Sequence, residues 1–359
     1  MEQLENIAGM LDLMVRPGFC VKDGVIAAAN QGAKNRLINT NTPVRDLLRT
    51  GREEYSDFTD GCLYLTLDLG GQQTGASVSK HSGFDVFILE QDADQAELHA
   101  MALAAQELRE PLASVMTVAD RLFPVVNEEL GTQEQIARIN RGLFQMLRVI
   151  SNMSDAARYQ QETERVLEVR DVSALLEEIF CNSAVLIGQT DIHMSFRNLT
   201  QQIYSLVDEE KLERAVYNIL SNAMKFTPRG GSIEASLTQR GKMLYLTVQD
   251  SGSGVDPAVR SSIHSRYLRQ PGVEDGRFGI GLGMVLIRAA AAAHGGTVLM
   301  EHPEGRGARI TMTMEIRQDT AGQLRSNILK VDYAGERDHS LIELADALPA
   351  ALYKKENIN

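Results

Sequence analysis

Apolar residues between positions 92 and 160 recur by threes and fours. Leu98, Met101, Ala105, Leu108, Leu112, Val115, Ala119 and Leu122 form one series. Ile136, Ile139, Leu143, Met146, Ile150, Met153 and Ala157 form another. This spacing predicts two successive helices with a heptad seam, joined by a loop near Asn127–Thr132. A two-helix hairpin buries little apolar surface alone. Two hairpins pairing as a four-helix bundle would bury more, which predicts a homodimer. On either side the period changes. Before residue 91, short β-like runs (Gly18–Val21, Val25–Ala28, Leu63–Leu69, Ala76–Ser79, Asp85–Leu89) surround a predicted helix at Gln31–Ile38 and are divided by turns such as Lys22-Asp23-Gly24. After residue 163, predicted strands at Leu167–Arg170, Ile192–Phe196, Gln202–Leu206, Ile233–Thr238, Met243–Asp250, Thr297–Glu301 and Arg309–Ile316 are interleaved with predicted helices. These helices are Ser173–Ile187, Glu209–Lys225 and Gly283–His294. Such alternation predicts an α/β sandwich. A last segment offers a strand at Ile328–Val331 and a helical pattern at Leu341–Leu348. The expected organisation is therefore an α+β multidomain chain with boundaries at 1–91, 92–162, 163–317 and 318–359.

Composition narrows the function. The 359 residues carry a net charge of −12, which disfavours a broad nucleic-acid-binding face. No run approaches the roughly 20 apolar residues of a membrane span. The opening segment MEQLENIAGMLDL is acidic and amphipathic, unlike a signal peptide. Cys20, Cys62 and Cys181 are far apart, odd in number and without metal spacing, so buried reduced thiols are expected. A cytoplasmic location is the expectation these features share.

Candidate chemistry clusters in the third region. Asp250-Ser-Gly252-Ser-Gly254 follows a predicted strand, and Gly279-Ile-Gly281-Leu-Gly283 precedes a predicted helix. Glycine-rich backbone at a helix start can approach phosphate closely and offer it N–H groups. Asn218 and Asn222 stand four apart on one helix face, with Lys225 three residues on. Amide carbonyls are hard oxygen ligands suited to magnesium, and a lysine meets phosphate as a point charge.

The order of these elements resembles the ATPase family shared by sensor histidine kinases, type II topoisomerases, the heat-shock chaperone of this fold and mismatch-repair ATPases. NILSNAMKFTP (Asn218–Pro228) resembles the kinase asparagine box. DSGSGV (Asp250–Val255) resembles the first glycine box, and FGIGLGMVLIRAAAAAHGG (Phe278–Gly296) the second. EGRGARITMTM (Glu304–Met314) resembles the last glycine turn and strand. The resemblance covers about 150 residues. It implies that ATP and magnesium bind, with Asn222 and Asn218 on magnesium, Lys225 at phosphate, Phe226 facing adenine and Asp250 accepting from its amino group. Asn218 stands where the chaperone and topoisomerase branches resemble one another in carrying a glutamate, so the kinase branch fits better. IHSRYLR (Ile263–Arg269) aligns with the kinase phenylalanine box but departs from it at His264 and Ser265. Arg269 keeps the place of the arginine that reaches the terminal phosphate.

AQELREPLASV (Ala105–Val115) on the first hairpin helix resembles the phosphoacceptor box at Glu107, Leu108, Arg109, Pro111 and Leu112, but Gln106 occupies the histidine position. A glutamine amide has no basic nitrogen lone pair and is a very poor nucleophile toward phosphate. Glu107, by resemblance the activating base, becomes vestigial. Glu110 stands where the family's phosphatase activity uses a threonine. His99, seven residues earlier, lacks the flanking motif. Residues Gly18–Leu37 and Phe84–Glu90 resemble the opening and closing parts of a PAS sensor domain. Together these resemblances imply a two-component-type signalling protein with a response regulator or related partner. It would be either a pseudokinase or trans-acting kinase, an active kinase with an atypical acceptor, or a non-catalytic dimeric scaffold. The segment Asp338–Tyr353 reads as an acidic amphipathic helix, a proline stop and an aromatic. It would either pack on the ATPase or hairpin region or dock a partner.

Overall fold

The computed structural model describes residues 2–81, 83–126, 130–161, 167–254, 282–303, 307–317 and 338–354. The first region opens with helix α1 (Glu2–Leu13), a helix the strand-like runs do not disclose. It continues through β1 (Gly18–Lys22), β2 (Val25–Ala29), α2 (Gln31–Lys34), α3 (Arg52–Asp57), β3 (Cys62–Leu69), β4 (Gln72–His81) and β5 (Phe84–Leu89). Asp23 and Gly24 both take positive φ (52° and 78°), the conformation a tight hairpin needs. Buried Asn30 organises the next corner. Its Oδ1 caps α2 at the Ala33 N–H and accepts from the Gly18 N–H, while its Nδ2 donates to the carbonyls of Leu11 and Arg16. Helix α2 is shorter than the expected Gln31–Ile38. Leu37 turns left-handed at φ 63°, which sends Ile38 into the core instead of onto another helical turn. The five strands pair antiparallel in the order β2-β1-β5-β4-β3.

Helices α4 (Asp92–Val126) and α5 (Leu130–Gln161) pack on each other as an antiparallel pair. Leu130–Thr132, expected in the loop, already belong to α5. The expected seam divides in two. Leu98, Ala105, Leu112 and Ala119 are buried, as are Ile136, Leu143, Ile150 and Ala157, each seven residues apart. The intervening Leu108, Val115, Ile139 and Met146 stand about half exposed (51%, 53%, 50% and 49%).

The third region contains β6 (Glu168–Asp171), α6 (Val172–Ile187), β7 (His193–Asn198), β8 (Tyr204–Val207), α7 (Glu209–Phe226), β9 (Ser232–Arg240), β10 (Met243–Asp250), α8 (Leu282–Ala293), β11 (Val298–Glu301) and β12 (Arg309–Glu315). Alternation in β10 buries Leu244, Leu246 and Val248, so one sheet face meets the helices. Leu237, Leu246 and Met312 of the sheet share a core with Leu176, Ile219 and Ile287 of α6, α7 and α8, the layered α/β arrangement expected. Strands β6 and β8 form a separate pair.

The two sheets are continuous. Strand β3 pairs antiparallel with β11 through Tyr64↔Val298, Leu63↔Leu299 and Cys62↔Met300. The resulting ten-stranded order is β2-β1-β5-β4-β3-β11-β12-β10-β9-β7. Gly61 permits the approach. It sits at φ 94°, and a Cβ there would lie 2.1 Å from the Met300 carbonyl oxygen.

Three expectations need correction or fall outside the described residues. Cys20 and Cys62 are buried, and burial pushes both thiols up, but Cys181 is exposed. Cys181 lies off the stripe of α6 (Leu176, Ile179, Phe180, Ser183, Ile187) that faces the core. The last helix, α9, covers only His339–Glu343, not Leu341–Leu348. The chain then turns and forms a 3₁₀ turn at Ala350–Tyr353 after Pro349. This path lets Leu341, Leu344, Leu348 and Tyr353 all become buried, which one short straight helix would not. The expected strand at Ile328–Val331 lies outside the described residues.

Candidate nucleotide-binding site

Helix α7 is the spine of the site. Asp208 caps its start by accepting from the Lys211 N–H, and the Thr227 hydroxyl closes its end on the Ala223 carbonyl. One stripe of α7 carries Arg214, Tyr217, Asn218, Ser221 and Lys225, all turned toward α5 and the C-terminal segment. Asn222 is half-buried beside them.

Glycines bring two elements onto this helix and a third onto the end of β10. A Cβ on Gly252 would sit 2.3 Å from the Phe226 carbonyl oxygen, and one on Gly283 would sit 2.8 Å from Asn218 Oδ1. Gly307, at φ 66°, would place a Cβ 2.3 Å from the Asp250 carbonyl oxygen. The end of β10 and the start of α8 therefore meet the asparagine-box helix, and the turn before β12 meets the end of β10, where side chains would not fit. Asp250 is buried. Its Oδ1 accepts from the N–H groups of Gly252 (2.8 Å) and Ala308 (3.2 Å), and its Oδ2 carries neither bond. Burial raises its carboxyl above the ordinary range against the pull of those N–H groups. Gly254 takes φ 72° and faces Gly307.

His294, from the closing His-Gly-Gly, is structural. Its Nε2 accepts from the Asp208 N–H at 2.9 Å, and its Nδ1 lies 2.7 Å from the Ala290 carbonyl. Those partners define a neutral ring that ties the end of α8 to the cap of α7. Burial holds its pKa down accordingly.

The structure places the predicted residues in two groups. Asn218, Asn222, Lys225, Phe226, Asp250, Gly252, Gly254 and Gly283 gather around α7. Gln106 and Glu107 are exposed on α4, as is His99. Gly279, Gly281, Arg269 and the whole of Ile263–Arg269 lie outside the described residues. Asn218 is nearly inaccessible. Its Oδ1 accepts from Arg148 Nη2 at 3.2 Å, and its Nδ2 donates to the Arg214 carbonyl at 2.8 Å. Asn222 thus remains as the amide on α7 suited to a cation.

Residues 207–318 match the family described as histidine kinase-, DNA gyrase B- and HSP90-like ATPase. This region is a histidine-kinase-type ATPase domain. Over a longer stretch, the chain is 25% identical over 342 residues to the sensor histidine kinase WalK of Bacillus subtilis, covering 83% of this chain and 54% of WalK. It is 29% identical over 240 residues to the histidine protein kinase DivJ of Caulobacter vibrioides, covering 62% of this chain and 40% of DivJ. The chain thus spans about half or less of these relatives' length. Among solved structures, full-length ShkA in complex with AMPPNP aligns with a TM-score of 0.51 at 22% identity, covering 62% of this chain and 46% of that one. That likeness concerns the fold. No described helix is long and apolar enough to cross a membrane.

Four residues beside the ATPase site escape the motif pattern. Arg148 of α5, Arg214 of α7, and Glu343 and Asp346 of the C-terminal segment form a largely buried charge network. Arg214 pairs with Glu343 and with Asp155 Oδ2 at 2.6 Å. Arg148 Nη1 reaches Asp346 Oδ2 at 2.6 Å. Buried arginines seldom interrupt apolar helix faces without partners. Arg148 falls between the seam positions Met146 and Ile150, where a heptad is expected to be polar, so the sequence pattern did not mark it as a buried contact.

Proposed function

We propose that this chain is a dimeric, histidine-kinase-like signalling protein that binds ATP with magnesium. In this reading it acts as a pseudokinase, or as a kinase that phosphorylates a partner in trans. The observation that carries the reading is the glycine-permitted meeting of α7, the end of β10 and the start of α8. It gathers Asn222, Lys225, Phe226 and Asp250 into one site while Gln106 stands at the acceptor position. Asp250 would select adenine through Oδ2, Phe226 would flank the ring, and Lys225 would hold phosphate. The donor set suits magnesium: Asn222 supplies a hard amide oxygen and phosphate oxygens supply the rest. The bound ion would neutralise charge on the polyphosphate. Gly279, Gly281 and Arg269 are assigned to phosphate by sequence resemblance.

The half-exposed Leu108, Val115, Ile139 and Met146 support a homodimer, since a second hairpin would cover them. The strand order β2-β1-β5-β4-β3, with helices between β2 and β3, supports the PAS-like reading of residues 1–91. A response regulator or related signalling protein is the partner class the reading implies, and the cytoplasm is its implied location.

The test is incubation of the purified protein with terminally labelled ATP and magnesium. Wild type should remain unlabelled. Gln106→His should gain acid-labile phosphate, and adding Asn222→Ala should abolish it. Labelling of wild type would overturn the pseudokinase reading. Failure of Gln106→His to label while ATP still binds would mean more than the acceptor has been lost.

A further inference from the structure

The C-terminal segment places Asp346 against the proposed nucleotide site. Lys225 Nζ donates to Asp346 Oδ2 at 2.8 Å, and Arg148 Nη1 reaches the same oxygen at 2.6 Å. One anionic oxygen held by a lysine and an arginine is the arrangement that a phosphate oxygen would take on the same lysine. Arg148 also donates to Ser221 Oγ (3.0 Å) and to Asn218 Oδ1, so the bridge lies directly against the asparagine-box stripe.

The segment is built into place and is not draped across the surface. Arg141 donates to the carbonyls of Ala345 (3.2 Å) and Asp346 (3.1 Å). Gln145 donates to Ala345, and Asn140 donates to the Tyr353 carbonyl at 3.0 Å. The Tyr217 hydroxyl bonds Ser340 Oγ at 2.8 Å, and the Tyr353 ring meets Phe144 edge-on at 5.3 Å. Helix α5 thus supplies one wall and α7 the other.

Electrostatics make the carboxylate exchangeable for another anion. Burial depresses Lys225, with Arg148 adding to the effect and Asp346 opposing it. Burial would raise Asp346, yet Arg148, Lys225 and Arg141 together hold its carboxyl below the usual range. Two buried cations need an anion here. The polyphosphate of a nucleotide satisfies the same need with more charge.

We propose that residues 338–354 are a displaceable cap on the nucleotide site, in which the Asp346 carboxylate occupies the phosphate position on Lys225 and must leave before a nucleoside triphosphate can bind fully. This rests on the ATP-binding reading above. The cap makes nucleotide affinity depend on whatever loosens the segment from α5, so the hairpin and the site become linked through Arg148, Arg141 and Asn140. Binding at one Lys225 contact excludes the other, which is a coupling free energy between cap and ligand.

The test compares magnesium–ATP affinity by calorimetry for full-length wild type and Asp346→Asn, an isosteric change that keeps the segment's apolar packing. Asp346→Asn should bind about tenfold more tightly, within the range usual for such coupling. Equal or weaker binding by the variant overturns the cap. No binding by either protein overturns the cap and the ATP-binding reading together. Hydrogen exchange of the unaltered protein gives a second measurement. Saturating magnesium–ATP should reduce protection across 338–354, whereas unchanged or increased protection with ATP bound would mean that the segment completes the site instead of blocking it.

Discussion

The ATPase domain is gripped at two places by two different kinds of contact. At the sheet edge, β3 adds to β11 through main-chain hydrogen bonds, and Gly61 and Gly51 allow the close approach. At α7, the C-terminal segment is held by side-chain charges that are almost entirely removed from water: Arg214, Arg148 and Glu343 are 2%, 3% and 1% exposed. The edge contact is specified by shape and backbone, so it tolerates most side-chain changes and fails only where a side chain cannot fit. The α7 contact is the opposite. It tolerates shape changes in its loop but not the loss of a charge, because each buried ion depends on its partner for the solvation it has given up. A contact of the second kind can be exchanged for another ligand of the same charge, and one of the first kind cannot.

The largest effect should come from Arg214→Ala. It leaves Glu343 and Asp155 without their shared guanidinium, and removing one partner of a buried pair costs about 3–5 kcal/mol. Urea unfolding should report this loss, with early release of residues 338–354 in hydrogen exchange. A neutral result would show that the network is wetter than its burial indicates. Gly61→Val should follow at about 3 kcal/mol, combining left-handed strain with a clash on the Met300 carbonyl. Protection should fall in β3 and β11 while the C-terminal segment stays protected. Loss of protection at both places would mean that the two contacts form one cooperative unit.

Acid should separate the contacts more gently. Glu54, near Tyr245 at the edge contact, has its carboxyl raised above its ordinary 4.5 by burial. The stability linked to it is present below 4.5 and is lost as pH rises through the raised value. Asp346 is depressed below its ordinary 3.8. Its contribution is complete above 3.8 and is lost as pH falls through the lower value. Lowering pH below 3.8 should therefore loosen the C-terminal segment while sparing the edge contact. Exchange measured across that range checks the order, and simultaneous release would contradict it.

Much of this was legible beforehand because it rests on local pattern. Strand β10 has the expected bounds Met243–Asp250, and α7 differs from expectation by one residue. Their periodicity and capping are properties of neighbouring residues. The glycines of the site were legible for the same reason, since a glycine at a close approach leaves its mark in the chain itself. The heptad seam was legible as a seam, although which half faces inward was not. Leu108 and Leu112 are equally apolar, yet one is exposed and the other buried.

Sequence by itself determined the two long helices, most elements of residues 167–317, the ATPase family of residues 207–318 and the resemblance of the Gln106 segment to a phosphoacceptor box. Each of these follows from residue types at short, fixed spacings. Tertiary structure alone decided that β3 would join β11, that Asn218 would give its carbonyl to Arg148, and that Asp346 would reach Lys225. These pairings join residues 70 to more than 200 positions apart. No local period encodes such a distance. A strand edge will accept any strand of fitting shape, and a buried cation will accept any anion, so only the packed chain selects which one arrives.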